Sequence, residues 1–254
     1  MGSALIKPTL KAILSLCFAT LVLVACSEDA AESDRSQAGP ASGGDSGGTT
    51  KVRTVPEEGT LPAGRYSVSE RFDPSFSFEL GEGWLVLRSS DPDSLRLGYV
   101  APGQEVAQGK GLRFLTLREI YEPRKQAGDV LFEAKPVPED LVAWLQQHPY
   151  VGTGGLAPAE VGGVSGRQLD ADVDVPEGNR DARAGGCAVP CLPLLRPGIG
   201  SVTYITEKGE DRFIILDDIE GETVIIIISA PAGKFDEFAA EVRELLQTVE
   251  WKRN

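Results

Sequence analysis

The chain has 254 residues, of which 41% are apolar and 25% charged, proportions typical of a soluble globular protein rather than a disordered one. Its 38 acidic residues outnumber its 25 basic residues, which gives a formal net charge of −13 at pH 7. This balance repels nucleic acid and anionic lipid headgroups, so we expect no nucleic-acid partner.

Residues 1–25 have the pattern of a secretion signal. Lys7 and Lys11 precede an apolar run over residues 12–25. As a helix this run would be about 21 Å long at about 1.5 Å per residue, which is shorter than the ~30 Å hydrocarbon core of a bilayer. The run is therefore predicted to be a signal peptide and not a permanent span.

The apolar run ends in Leu23-Val24-Ala25-Cys26, which resembles the bacterial lipobox. The resemblance implies that the Cys26 thiol receives a diacylglyceryl group and that cleavage leaves Cys26 as the new N-terminus. Two or more acyl chains make a lasting anchor, whereas one chain binds membranes marginally, at ~0.8 kcal/mol per buried CH₂. We predict a lipoprotein on the extracytoplasmic face of the cell membrane; the alternative is an ordinary signal peptide that ends in a cysteine by chance.

Residues 27–50 contain no aromatic or branched aliphatic side chain. They cannot bury enough apolar surface to offset the entropy of ordering, so they are predicted to be a flexible spacer. The domain prediction is therefore a signal peptide over 1–25, a lipidated cysteine and linker over 26–50, and a single globular domain over 51–254.

The predicted domain begins with strand patterns. Phe76, Phe78 and Leu80 alternate with polar residues, and a glycine-rich turn at 81–83 separates them from residues 84–87. This pattern predicts a β-hairpin or two strands that meet at a tight turn. Further strands are predicted over 95–100, 112–120, 164–175, 201–206, 212–216 and 223–229. Residues 224–228 are apolar on both faces, which indicates a central strand covered on both sides.

Two segments have helical periodicity. In residues 137–147, Leu141, Trp144 and Leu145 share one face, and His148-Pro149 ends the pattern. Near the C-terminus a longer apolar stripe predicts a helix of about four turns. Its members are Phe235, Phe238, Ala239, Val242, Leu245, Leu246 and Val249. These elements predict an α+β fold: an antiparallel β-sheet with helices packed on it, including a long C-terminal amphipathic helix.

A resemblance follows from the order of five segments: FSFELGEGW, LVAWLQQHP, VGGVSGRQLDADV, GETVIIIISA and FAAEVRELLQTVEW. Together they resemble uncharacterised bacterial lipoproteins with a PsbP-like α/β/α sandwich domain, over most of residues 60–252. The resemblance implies an antiparallel sheet between helices and a binding or accessory role. It carries no catalytic signature, so it implies no functional residues.

Cys187 and Cys191 remain once Cys17 leaves with the signal and Cys26 takes lipid. In an oxidising compartment they are predicted to form a disulfide. A redox-active or free pair is an alternative, although the spacing is not C-x-x-C. A metal site is a third reading, but it needs further ligands, and His148 is the only histidine.

Other familiar constellations are incomplete. Asp170, Asp172, Asp174 and Asp181 stand at calcium-loop positions, but Val175 occupies the place of the required glycine, and the alternation indicates an exposed strand face. Residues 163–167 lack the glycine spacing of a nucleophile elbow. We therefore predict no catalytic residue, no metal ligand and no cofactor. His148, at a helix end, is expected to satisfy carbonyl groups or the helix dipole.

Residues 176–200 show no clear periodicity, and long loops in compact domains are usually functional or disordered. The segment contains Arg180, Arg183, Leu192, Leu194 and Leu195 beside the predicted disulfide. Our hypothesis is that this loop contacts a partner or ligand. The alternative is a loop packed on its own domain.

These observations favour a membrane-tethered, non-enzymatic module that binds an envelope protein or a small ligand. The alternative function is a cell-envelope hydrolase that uses carboxylates in a surface cleft. A hydrolase requires acids that converge in one concave pocket, whereas an interaction module requires an exposed apolar patch.

Overall fold

The computed structural model describes residues 51–68, 72–88, 91–101, 103, 109–126, 129–175, 187, 189–198, 201–207 and 209–252. The predicted signal peptide, Cys26 and the linker lie outside these residues, as do Arg180 and Arg183. None of the helices in the described ranges combines the length and apolarity that a bilayer crossing requires.

In this part of the chain, sixteen strands form three sheets and two helices accompany them. The strands are β1 (Arg53–Thr54), β2 (Gly59–Leu61), β3 (Gly64–Ser67), β4 (Phe76–Leu80), β5 (Trp84–Val86), β6 (Ser94–Tyr99), β7 (Gly111–Thr116), β8 (Glu119–Gln126), β9 (Asp129–Pro136), β10 (Val151–Val161), β11 (Val164–Val173), β12 (Cys191–Arg196), β13 (Thr203–Thr206), β14 (Gly209–Ile219), β15 (Glu222–Pro231) and β16 (Glu250–Trp251). The helices are α1 (Leu141–Gln147) and α2 (Phe235–Leu246).

The central sheet has eight strands in the order β10-β11-β14-β15-β7-β6-β5-β2. Two four-stranded sheets, β1-β3-β4-β16 and β13-β12-β8-β9, accompany it. The strand pairs of the central sheet are antiparallel, and β1 pairs with β3 in parallel. The predicted turn at 81–83 joins β4 to β5, which belong to different sheets, so the two strands meet at a turn without forming a hairpin.

Strand β15 separates two hydrophobic clusters. Val224, Ile226 and Ile228 pack in one cluster with α2 and with β3, β4 and β16. Ile225 and Ile227 point the other way, into a cluster with α1, β12 and β13. The prediction of a central strand covered on both faces is confirmed, because both sets of side chains are fully buried.

The predicted fold class was wrong. The described residues fold mainly as strands, and α1 and α2 have only seven and twelve residues. Helix α2 ends at Leu246, where the Thr248 side chain donates a hydrogen bond to the Leu245 carbonyl, and the chain then enters β16. Val249, predicted to extend the helix, is instead buried between the helix and this strand.

The extra β-structure comes from segments whose composition conceals it. Strand β10 contains three glycines and one proline among its eleven residues. It lies at the edge of the central sheet, where such residues are tolerated. Strand β12 contains Pro193 and an irregular register between Pro193 and Leu195, which breaks the alternation of its side chains. Both strands therefore lacked the pattern on which the α+β prediction depended.

The leucines of the proposed partner loop are part of the core. Leu192, Leu194 and Leu195 lie on β12 and are 0% exposed, so they cannot contact a partner, and that part of the hypothesis was wrong. Cys187 and Cys191 form a disulfide at the start of this strand, with their Cα atoms 6.3 Å apart. For these three leucines the alternative interpretation holds, because this part of the segment packs on its own domain.

Candidate functional site

A surface cleft of about 490 Å³ lies between the turn after β4 and helix α2. Four carboxylates and two aromatic side chains line it: Glu79, Glu82, Glu241, Glu244, Trp84 and Tyr99. The cleft therefore combines a concentration of negative charge with aromatic walls.

Three elements bring these residues together. Strand β4 and the turn after it carry Glu79 and Glu82, while Glu241 and Glu244 are three residues apart on the polar face of α2. The turn fits closely beneath Tyr99 because Gly83 has a φ of +90° and no side chain. A Cβ at Gly83 would lie 2.4 Å from the Val100 carbonyl oxygen and 3.1 Å from the Tyr99 ring.

Tyr99 is the aromatic centre of the cleft. Its ring centroid lies 5.1 Å from that of Trp84 and 5.7 Å from that of Phe238. Burial raises the pKa of the Tyr99 phenol, and the adjacent Glu241 carboxylate raises it further, so the phenol stays protonated at neutral pH. The Lys110 ammonium lies 5.5 Å from the Tyr99 ring centroid, a distance at which the ring attracts a cation.

Glu241 has one carboxylate oxygen, Oε2, that is shielded from water and has no hydrogen-bond partner. A buried acceptor without a donor is unfavourable, and a ligand N–H or O–H group would satisfy it. Glu79 differs, because its carboxylate lies 3.7 Å from the Arg65 guanidinium and its side chain is 54% exposed. Glu241 also shares a side-chain hydrogen bond with Tyr99, so it is the single oxygen Oε2, and not the whole carboxylate, that lacks a donor.

This cleft was not predicted from the sequence, where the only related expectation was that residues 84–87 follow a glycine-rich turn at 81–83. The signal in the sequence was Trp84 directly after the Gly81-Glu82-Gly83 turn, but the helix that supplies the other two acids lies about 160 residues further along the chain. Only the tertiary fold brings the two together.

The aspartates of the incomplete calcium loop that the structure describes lie on strand β11 or directly after it. Asp170 accepts two hydrogen bonds from the Arg212 guanidinium, at 2.6 and 3.0 Å, while Asp172 and Asp174 are exposed. Asp181 lies outside the described residues. Among the described residues no group of three or more histidine, cysteine, aspartate or glutamate side chains could hold a metal ion.

His148 does not act on the helix dipole as expected. Its ring is buried between Trp144 and Tyr150, and its Nδ1 accepts a hydrogen bond from the Tyr150 N–H group at 3.3 Å. Burial lowers the pKa of His148 to about 4, so the ring is uncharged at neutral pH. Only its backbone N–H reaches a helix carbonyl, that of Leu145.

The described part of the chain has three large hydrophobic residues that are strongly exposed: Val52, Leu131 and Leu156. Leu131 lies on β9 and Leu156 on β10, which are strands of different sheets, and Val52 precedes β1. Among the described residues, the exposed large hydrophobic side chains are thus distributed over separate elements, whereas four acids line one cleft.

No protein-family model matches the chain, and no curated protein matches it. Among solved structures, cyanobacterial PsbP (CyanoP) from Synechocystis sp. PCC 6803 covers 82% of this chain and 98% of its own, with 12% identity and a TM-score of 0.38. The match to LpqN, involved in cell envelope biogenesis of Mycobacterium tuberculosis, covers 77% of this chain and 91% of the LpqN chain, with 12% identity and a TM-score of 0.34. The structures similar to this chain thus include a PsbP protein, as the sequence resemblance indicated, and at these TM-scores the likeness transfers no ligand, partner or residue role.

Proposed function

We propose that the chain is a lipid-anchored, extracytoplasmic binding protein whose acidic cleft takes a small organic cation. The observation that carries the proposal is the position of Glu241, whose unpartnered oxygen lies in a cleft lined by three further glutamates and two aromatic rings. The lipobox-like segment that ends at Cys26 supports the anchor.

The chemistry of the cleft suits an ammonium group in two ways. Carboxylates attract a cation more strongly where water is partly excluded, because the local dielectric constant is lower. Aromatic faces add a cation–π contribution of about 0.5–2 kcal/mol, depending on how far the cation is desolvated. The chain's own Lys110 already uses the rings of Tyr99 and Phe238 in this way.

Titration with tetramethylammonium and methylammonium, followed by tryptophan fluorescence, tests the cleft. We expect methylammonium to bind more tightly, because only it can donate a hydrogen bond to Glu241. Glu241→Gln should weaken methylammonium binding about tenfold through the loss of a charged hydrogen bond. The matched control is Glu139→Gln, an exposed glutamate outside the cleft. Equal affinities in the two variants would contradict the proposal.

A cell-envelope hydrolase is the second candidate, and the convergence of four carboxylates in one cleft favours it. Glycoside hydrolysis needs a carboxyl pair on either side of the scissile bond. Incubation of the protein with peptidoglycan fragments separates the two functions, because a binding protein releases no product. Turnover that disappears in both Glu241→Gln and Glu244→Gln would replace the binding proposal with the hydrolase.

The anchor has its own test. Mass spectrometry of protein purified from membranes should find residue 26 as the N-terminus, with diacylglyceryl on its sulfur. Cys26→Ala should move the protein out of the membrane fraction, since the acyl chains supply the attachment. An unacylated residue 26 or an uncleaved leader in the membrane-bound protein would contradict lipid anchoring.

A further inference from the structure

Two arginines face each other on the side of the central sheet that points away from α2. Arg96 on β6 is directly opposite Arg113 on β7. Their neighbours Leu95, Leu97 and Phe114 belong to the cluster under α2, so both arginines point to the other face. Like charges directly opposite each other on a sheet are destabilising.

Neither guanidinium has a hydrogen bond or ion pair among the described residues. Both side chains are partly buried, and the Nε atom of Arg96 is shielded from water without a partner. The arginines Arg118, Arg196 and Arg212, in contrast, pair with carboxylates at 2.6–2.7 Å. Among the described residues, Arg96 and Arg113 therefore form no hydrogen bond or ion pair with a carboxylate, although the nearby Asp211 attracts Arg113 electrostatically.

Burial lowers the pKa of Arg96. Burial also lowers the pKa of Arg113, and the nearby charge of Arg96 lowers it further, to about 10. Arg113 remains charged at neutral pH, and its environment opposes that charge. An anion placed between the two guanidinium groups would relieve both the desolvation and the mutual repulsion.

The carboxylate that acts on this pair is Asp211 on β14. The sheet register aligns four residues in one row across four strands: Gly98, Gly111, Ser229 and Asp211. This row lies two residues along the strands from the row that holds Arg96 and Arg113, and on the same face of the sheet. Asp211 accepts a hydrogen bond from the Ser229 hydroxyl and attracts Arg113 electrostatically. Among the described residues, one carboxylate thus acts on two guanidinium groups, which leaves one positive charge uncompensated.

The two glycines leave a hollow beside the arginines. A Cβ at Gly111 would lie 3.3 Å from the Leu97 carbonyl oxygen, and no other atom of the described residues would lie within 4 Å of it. Beside Gly98, the side chains of Leu85 and Leu87 approach to 3.4–3.5 Å of the corresponding position and form an apolar wall. The hollow thus has a cationic side and an apolar side.

We infer that this hollow binds a small carboxylate that carries an apolar group, with the carboxylate on Arg96 and Arg113 and the apolar group against Leu85 and Leu87. A guanidinium group matches a carboxylate through paired N–H donors. The single uncompensated charge suits a monoanion, because the Asp211 carboxylate opposes a second negative charge. The hollow lies on the opposite face of the sheet from the acidic cleft, so the two sites are independent.

Calorimetric titration of the purified full chain with hexanoate tests the inference. We expect saturable binding at one site, no binding of hexylamine, and weaker binding of acetate, which lacks the apolar group. Arg113→Gln should reduce hexanoate affinity about tenfold or more, because it removes a charge-assisted hydrogen bond to the carboxylate. The matched control is Arg124→Gln, which removes an exposed arginine elsewhere and should leave the affinity unchanged.

A second variant keeps both charges and fills the space. Gly111→Ala should weaken hexanoate binding while the chain stays folded, because the new methyl group occupies the hollow and meets one backbone oxygen at 3.3 Å. Hexanoate binding that is unchanged in both Arg113→Gln and Gly111→Ala would overturn the inference. Binding of inorganic phosphate but not of hexanoate would overturn the proposed ligand class.

Discussion

Strand β6 has two unlike faces. On the face under α2, Leu95 and Leu97 are buried in the hydrophobic cluster and Tyr99 reaches the acidic cleft. On the other face, Arg96 and Gly98 border the hollow with the unpaired arginines. Because strand residues alternate between faces, a single strand contributes to two sites of opposite charge and keeps them a full sheet thickness apart.

The two faces also differ in packing. Under α2, Phe114 lies 4.6 Å from Phe76, and Phe76 lies 4.9 Å from Trp251, measured between ring centroids. On the opposite side of β6 and β7, the buried Leu115 is accompanied by Arg96, Arg113 and two glycines. The aromatic face therefore stabilises the sheet, whereas the two arginines destabilise it unless a bound anion offsets their charges.

The largest expected effect is on the aromatic face. Phe114→Ala should lower the free energy of unfolding by about 3–5 kcal/mol, because the ring is fully buried and its loss leaves a cavity. Urea denaturation followed by circular dichroism measures the change. Leu131→Ala, at a side chain 49% exposed, is the control and should change stability by at most about 0.5 kcal/mol. A loss in Phe114→Ala no larger than in this control would remove the distinction between the faces.

The second effect concerns Asp211, which is 4% exposed. Burial raises the pKa of Asp211 from 3.8 to about 6, although the Ser229 hydroxyl and Arg113 both act to lower it. Its contribution to stability is therefore fully present below pH 3.8 and is lost as the pH rises through 6. Asp211→Asn cannot ionise, so it should match the wild type near pH 4 and exceed it at pH 7 by about 3 kcal/mol.

The measurement of Asp211→Asn must allow for His148, whose effect has the opposite sign. Burial lowers the pKa of His148 to about 4, so its contribution is present above pH 6.5 and is lost as the pH falls through 4. The difference between variant and wild type at each pH cancels this contribution. Asp172→Asn, at an exposed aspartate, serves as the control and should show no pH-dependent difference. A constant difference between Asp211→Asn and wild type from pH 4 to 7 would show that the Asp211 carboxyl does not titrate in this range.

The features that could be predicted from sequence are those with an unbroken local pattern. The alternation in residues 164–175 became β11, the run at 224–228 became the core of β15, and the stripe from Phe235 to Leu246 became α2. The predicted fold class was wrong partly because β10 contains three glycines and a proline and β12 contains Pro193, so neither strand shows a regular alternation in the sequence. Local pattern identifies an element only when its packing is regular.

Neither site could be found in this way. Leu95, Arg96 and Leu97 reveal an alternating strand, but nothing in the sequence shows that Arg96 lies opposite Arg113, because that depends on the register between β6 and β7. The cleft depends on the approach of α2 to a turn about 160 residues earlier. Both sites arise from contacts between distant segments, which composition and spacing do not encode.

The smallest expected effect is on the arginine face and has the opposite sign to that of Phe114→Ala. Arg113→Met should raise the free energy of unfolding by about 1–3 kcal/mol, because it replaces an unpaired, partly buried cation with an apolar chain of similar length. The same substitution removes the attraction between Arg113 and the Asp211 carboxylate. The increase in the free energy of unfolding caused by Arg113→Met should therefore be larger at pH 4.5, where Asp211 is neutral, than at pH 7. Combining Arg113→Met with Asp211→Asn should restore the full increase at pH 7. A loss of stability in Arg113→Met at both pH values would mean that the guanidinium is well solvated or paired. The two faces of β6 would then differ in the side chains they carry but not in their effect on stability.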